Sequence, residues 1–261
     1  MSNIYIIDID KYFNGNHDYE KEEYNRIINK HWYKIPYVIN KLGDYCKKNN
    51  YKNIIDIGGG SQTYFSPSTH IVDICIKNKN IDTNINIIKA DIDFDKIPFQ
   101  DKYFDFCYSR HTLEDTHNCT FIFNEMTRIS GCGFIETPSP LIEALKGVDY
   151  ESDVKYSGYL HHRYIIWSEI ENNTIHILPK FPLIDLLKFD DNFLKKLINI
   201  ANNFPIYWNN YYVWDTNNKP NIILYRHGIN FDINNDYGRL LYRAIIESIK
   251  YTNHFVNNLL K

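Results

Sequence analysis

The sequence predicts an α/β fold: a mostly parallel central sheet with helices on both faces. Three observations lead there. Short apolar runs rich in β-branched residues recur between residues 53 and 136, each the length of a buried strand. The stretches between them read as helix or loop, which is how parallel strands are joined. The runs end beside chemically capable side chains, namely Asp56, Asp73, Asp91, His111 and Glu136. Parallel sheets bind ligands at those carboxyl ends.

Residues 18–49 read as helix, because Tyr24, Ile27, Ile28, Tyr37, Val38 and Leu42 recur at roughly helical spacing among charges. Pro36 should kink or split that helix. Strands are expected over 53–57, 70–74, 85–89 and 104–108, then a helix over 120–129. A fifth strand over 133–136 is stopped by Pro138 and Pro140. Beyond it the pattern changes. Residues 164–170 and 174–178 look like two strands around an Asn172-Asn173 turn, and 190–203 looks helical. Residues 211–214 and 221–225 look like another hairpin, and 236–260 like a final amphipathic helix. With no internal repeat and no long linker, one domain over 1–261 is the simplest organisation.

The chain has 261 residues, 44% hydrophobic and 16% aromatic, enough for a sizeable core. No stretch approaches the roughly 20 apolar residues of a spanning helix, so no membrane partner is expected. The start lacks the pattern of a secretory signal. Five scattered cysteines without a CxxC pair suggest free thiols and a cytoplasmic setting. A net charge of -3 disfavours a nucleic-acid binder with a broad basic face. The wealth of Asn, Ile, Lys and Tyr, whose codons are AT-rich, suggests an AT-rich genome, a protist's or a large virus's; in the latter case the setting would be the host cytoplasm.

In IIDIGGG, three glycines follow a strand directly. Glycine admits positive φ and lacks the Cβ that would keep a ligand off the backbone. A dinucleotide fingerprint would need a further glycine where Thr63 stands, and a phosphate loop would need Gly-Lys-Ser/Thr. The turn therefore suits a ligand without phosphate, although a ligand-free tight turn accounts for the same glycines. Asp73 lies seventeen positions after Asp56. That is close to the spacing at which an acidic residue takes ribose hydroxyls in nucleoside-binding α/β folds. A strand-end Asp capping a turn is the plainer alternative.

The ordered series IIDIGGG, IVDI and KADIDFDKIPFQDKYFDFCYSRHTLED resembles the class I S-adenosylmethionine-dependent methyltransferases, in particular the type 11-like group that often modifies small molecules and glycans. The resemblance covers about residues 50–140 and implies a Rossmann-like methyltransferase fold with S-adenosyl-L-methionine as cofactor. It implies that Asp56 and the turn Gly58, Gly59 and Gly60 line the methionine part, and that Asp73 holds the ribose. Asp91 and Ile92 would meet the adenine. Ser109, Arg110 and His111 would border the methyl and the acceptor. Residues 51–140 would then be the cofactor-binding half, 141–261 the acceptor-side half with the last helix, and 1–50 a helical lead-in. The sequence departs from the family twice. The stretch SQTYFSPST after Gly60 is short and contains Pro67, so the usual helix there should be truncated or replaced by a loop. The second histidine of the family's H-LEH segment is Asp115.

Methyl transfer from a sulfonium is an in-line displacement, so positioning dominates. An oxygen acceptor also needs a base, and histidine has the suitable pKa. His111 is the candidate base or acceptor-orienting group, or else merely holds its loop. His162 and Arg163 lie in a second cluster, Gly158 to Tyr164, that can cover an acceptor. Arg163 can fork onto a carboxylate or phosphate, and Tyr159, Tyr164 and Trp167 can stack on a ring. If that cluster is a strand, His161 and His162 point to opposite sides and at most one faces the site. A structural role for the cluster, with a buried Arg pair, is the alternative. Glu136 would touch the acceptor or pair with Arg163 or Arg110. His161, His162, His176, Glu114 and Glu136 offer metal-ligand chemistry, but no ligand spacing joins them, so no metal is expected. The functional expectation is methyl transfer to an O or N atom of a small-molecule or glycan acceptor. A binding or assembly module that has lost catalysis, and an RNA or nucleotide methyltransferase, are the alternatives.

Overall fold

The computed structural model describes residues 36–60, 64–77, 81–149 and 156–259. The helix expected over 18–35, Thr63 and the end of the last helix at 260 lie outside the described residues. Helix α1 (Pro36–Lys48) buries Val38, Leu42 and Cys46, four residues apart, along one stripe. Strands β1 (Ile54–Ile57) and β2 (His70–Asp73) are buried throughout, whereas β3 (Asn86–Lys89) is an exposed edge. Next come β4 (Phe106–Arg110), α2 (Cys119–Ile129) and β5 (Gly133–Pro138).

The main sheet has the order β3-β2-β1-β4-β5 and then β8 (Asn209–Trp214). Its first five strands are parallel, and β8 runs antiparallel beside β5. This is a Rossmann-like α/β arrangement, mostly parallel as expected. The chain winds outward from β1 to β3 and then returns to β4 on the other side of β1. The carboxyl ends of β1 and β4 therefore flank the point where strand order reverses, which is where open α/β sheets bind their ligands. Helices cover both faces. Phe106 meets Tyr45 of α1, while Trp214, level with Gly133 and Cys107 on the opposite face, meets Phe123 of α2.

Beyond β5 come the short helix α3 (Pro140–Ala144) and a small sheet of β6 (Tyr164–Glu169), β7 (Thr174–Pro179) and β9 (Asn221–Leu224). Asn173, at φ +47°, turns β6 into β7 at the Asn-Asn pair. Helix α4 (Asp191–Asn203) is capped by the Asp190 carboxylate. Helix α5 (Ile233–His254) buries Tyr237, Leu241, Ala244, Ile245 and Ile249 at helical spacing.

Three expectations need correction. The fourth strand starts two residues later than its apolar run. The Asp105 carboxylate accepts the Lys52 and Asn53 backbone N–H groups, and Phe104 forms only an isolated bridge with Ser130. Ser109 and Arg110 thus belong to the strand, and His111 is the first residue beyond it. The fifth strand runs on through Pro138, because β8 pairs with it to its end. Residues 211–214 and 221–225 are not a hairpin. Strand β8 joins the main sheet, whereas β9 lies parallel to β7 in the small one. The reason is aromatic load. Tyr211 stacks on Phe134 and Phe255 while Trp214 meets Phe123 on the other face, so β8 needs cover on both sides. A surface hairpin would have left one set of rings in water.

Gly133 shows how tight this junction is. A Cβ there would lie 2.2 Å from the Trp214 ring and 2.5 Å from the Cys107 carbonyl oxygen. That carbonyl belongs to the sheet and cannot swing aside. Gly133→Ala should therefore destabilise the fold by about 1–3 kcal/mol, the usual cost of overpacking. A melting curve superimposable on the wild type's would refute this.

Candidate functional site

The glycine turn opens at the end of β1. Gly58 has φ +83° and donates its N–H to the Val72 carbonyl at 2.8 Å, which ties the turn to β2. A Cβ on Gly58 would sit 2.1 Å from Thr112 Oγ1, and one on Gly59 2.5 Å from Asp56 Oδ2. One on Gly60 would meet Ile76 at 2.5 Å and Asp73 Cβ at 2.8 Å. The turn is thus glycine-rich because two carboxylates and the loop after β4 close in on it.

Asp56 is 2% exposed and accepts the Phe65 backbone N–H at 2.7 Å. Burial lifts its carboxyl pKa to about 7, against the lowering effects of that hydrogen bond and of Arg110. Asp73, one strand over, turns towards the glycines. Its Oδ2 accepts the Gly60 N–H at 2.9 Å and its Oδ1 the Cys75 N–H at 2.8 Å. An ionised carboxylate has about four acceptor positions, so each oxygen retains one. The described part of the stretch after Gly60, residues 64–69, is a loop closed by the Ser68 N–H on Phe65 O, as its shortness and Pro67 suggested.

Asp91 and Ile92 are half-buried beyond β3. Asp91 Oδ1 accepts the Asp93 N–H at 3.1 Å, and its carbonyl takes the Asp95 N–H, so the residue shapes its own turn. Ser109 is buried and donates its hydroxyl to the Ile57 carbonyl at 3.0 Å, binding β4 to β1 at their carboxyl ends.

His111, the first residue beyond β4, has φ +49°, a backbone state uncommon outside glycine that clusters at functional sites. Its N–H donates to the Glu136 carbonyl, fixing it across from β5. Its ring lies between two buried carboxylates: Nδ1 is 3.3 Å from Glu114 Oε1 and Nε2 is 3.4 Å from Glu136 Oε1. Neither contact is aligned as a hydrogen bond, so Nε2 and both Glu114 oxygens are buried without a hydrogen-bond partner. Burial opposes the imidazolium, but the two glutamates outweigh it and raise the pKa to about 9. Glu136 also takes Arg110 Nε at 3.0 Å and Asn209 Nδ2 at 2.8 Å, which settles its pairing on Arg110.

The second cluster faces Glu114 and Asp115. Residues 159–163 form a turn rather than a strand, so side-chain alternation does not apply. The His161 and His162 rings meet at 4.4 Å, and both reach towards Asp115. His162 is 8% exposed, with Nδ1 2.7 Å from Glu143 Oε1. Burial pulls its pKa down, and Glu143, Glu114 and Asp115 more than restore it. Lys180 Nζ donates to Glu143 Oε2 and to the Tyr159 carbonyl. Arg163 is exposed and donates Nε to the Asp115 carbonyl at 3.1 Å. Trp167 lies elsewhere: it is fully buried in the small sheet, stacked on His176 at 4.7 Å.

Sequence reasoning missed Glu143, Lys180 and Thr112. Glu143 left a trace, a lone carboxylate inside the apolar run Leu141-Ile142-Glu143-Ala144-Leu145. Lys180 and Thr112 left none, since their partners come from distant elements.

Residues 51–132 match the family of methyltransferase domains. No curated protein matches the chain. Among solved structures the chain is similar to an S-adenosylmethionine-dependent methyltransferase from Mesorhizobium loti, with 17% identity over 50% of this chain and 58% of that one and a TM-score of 0.31. A putative methyltransferase from Bacillus halodurans shows 16% identity over 39% and 51%, with a TM-score of 0.31. A possible histamine N-methyltransferase from Thermotoga maritima shows 16% identity over 47% and 61%, with a TM-score of 0.33. The chain thus spans between half and two thirds of the length of these structures.

Proposed function

We propose that this chain, whose residues 51–132 match a methyltransferase domain, transfers a methyl group from S-adenosyl-L-methionine to an O or N atom of a small-molecule or glycan acceptor. One observation carries the reading: the Asp73 carboxylate leans from β2 onto the glycine turn of β1. Its two remaining acceptor positions suit the vicinal hydroxyls of a ribose. The glycines keep Cβ atoms out of the turn where Asp56, Asp73 and Thr112 come close, and the buried Asp56 suits the cationic amino group of the methionine part. When bound, the cofactor supplies a methyl group already activated on a sulfonium. The protein must then orient the acceptor, exclude water and receive a proton.

His111 and Glu114 are suited to those tasks. At neutral pH the His111 ring is protonated and donates, which orients an acceptor oxygen. As pH nears 9 it becomes able to accept the acceptor's proton. His162, held by Glu143, and Arg163 both reach Asp115 at the end of the same segment. Its carboxylates favour a neutral or cationic acceptor over a phosphodiester. Arg110, Arg128 and Arg163, the arginines nearest a nucleic-acid path, already bond within the chain. No helix among the described residues is long and apolar enough to cross a membrane. The five free cysteines suit a reducing, cytoplasmic setting.

The test is calorimetric titration with S-adenosyl-L-methionine, followed by assay for the demethylated product across acceptor classes. Failure to bind the cofactor would overturn the reading. A proton signature should accompany binding. Asp56 is partly protonated near pH 7, and a cationic amino group beside it favours the carboxylate. Binding at pH 6 should therefore release a proton and tighten as pH rises through about 7. Titrations in buffers of different ionisation enthalpy read that release directly, and Asp56→Asn should abolish it.

A further inference from the structure

We propose that His161, His162 and Asp115 hold a divalent transition-metal cation beside the Glu114–His111 pair. His161 Nε2 lies 3.8 Å and His162 Nε2 3.9 Å from the same oxygen, Asp115 Oδ1. The three ligand atoms all lie within 4.8 Å of one another. Ligands bonded at about 2.1 Å to a tetrahedral cation stand about 3.4 Å apart, so each imidazole needs to close on Asp115 by roughly half an ångström.

Independent observations point the same way. The other ring nitrogen of His162 is fixed by the buried Glu143, which is itself held by Lys180. That carboxylate–histidine link presents Nε2 outward and is the usual support of a metal-bound imidazole. Glu114, next to Asp115, is 1% exposed with neither carboxylate oxygen hydrogen-bonded. Its charge faces the His111 ring at 3.3 Å, and a cation on the neighbouring Asp115 would add to that favourable field. His161 and Asp115 are exposed, which gives the ion an entry path. The other group of similar make-up, Glu169, His176 and Glu247, is saturated by its own chain: His176 binds Glu169, Trp167 binds Glu247, and Arg243 binds both acids.

Two imidazoles and a carboxylate suit zinc, cobalt or iron(II) and leave positions open for oxygen donors. The use of those positions to hold an acceptor hydroxyl rests on the methyl-transfer reading; the cation site itself does not.

The full chain, stripped with chelator, is titrated with Co²⁺ and followed by visible ligand-field absorption, with Zn²⁺ as competitor. One equivalent should bind. His161→Ala, at an exposed position, should weaken it at least tenfold, and Glu143→Gln by about 10–100-fold. His254→Ala, on the far C-terminal helix, should leave affinity unchanged. Absence of saturable binding, equal affinity in His161→Ala, or loss of binding only in His176→Ala would each overturn the proposal. Cofactor titration on the same samples separates the two readings: Co²⁺ bound without cofactor leaves the cation site standing and removes methyl transfer.

Discussion

Asp73→Ala should weaken S-adenosyl-L-methionine binding by about 1.5–3 kcal/mol, roughly 10- to 150-fold, the cost of losing hydrogen bonds to a charged group. The prediction follows from position. Asp73 lies at the end of β2, one strand from the glycine turn, and spends one acceptor position per oxygen on Gly60 and Cys75. The same contacts give it a structural role, because its removal frees the Gly60 N–H. Two measurements separate these roles. Melting of the cofactor-free variant reports the turn, and calorimetry reports the ribose contact. Asp73→Asn keeps one acceptor oxygen and should fall between wild type and alanine in affinity. If Asp73→Ala bound the cofactor as tightly as wild type, the carboxylate would be a turn brace only.

His111→Gln should lower turnover by about 10²–10⁴-fold, the usual worth of a positioned acid–base group, while cofactor affinity changes little. The pH profile carries the sharper test. With a pKa of about 9, the wild-type ring loses its proton only in the alkaline range, so turnover should climb towards pH 9. The glutamine variant should lack that limb. A retained limb with normal turnover would leave His111 as a loop brace.

Stability should show the same group with a definite sign. The folded-state pKa lies above the ordinary histidine value of 6.5. The stabilisation is therefore fully present below about pH 6.5 and is lost as pH rises through about 9. It amounts to roughly 2–4 kcal/mol. Denaturant unfolding at the two ends of that window should show the loss in wild type and not in His111→Gln.

How much of this was legible beforehand differs by region. From β1 to β5 the strand runs, the glycine turn and Asp73 were readable because each is local: buried parallel strands are short and apolar on both faces. Boundaries slipped where a side chain intervened, as Asp105 does at the start of β4. Beyond Pro140 the reading weakened. Strands β8 and β9 lie near each other in sequence, as a hairpin's arms would, yet they belong to different sheets. Pairing across such distances is chosen by which faces the aromatics must cover, and no short window contains that. The His161-His162 pair was no more legible: a strand would separate the two rings, but the chain turns there and brings them together.

The sequence alone determined the α/β class, the run of parallel strands and the Cβ-free bend with a carboxylate one strand over. These follow from spacing and residue type along a short stretch. Only the tertiary structure decided that His111 sits between Glu114 and Glu136, that Glu143 and Lys180 brace His162, and that Asp115 faces two imidazoles. Those contacts join residues up to tens of positions apart, and their energies depend on burial, a property of the packed molecule rather than of any segment of it.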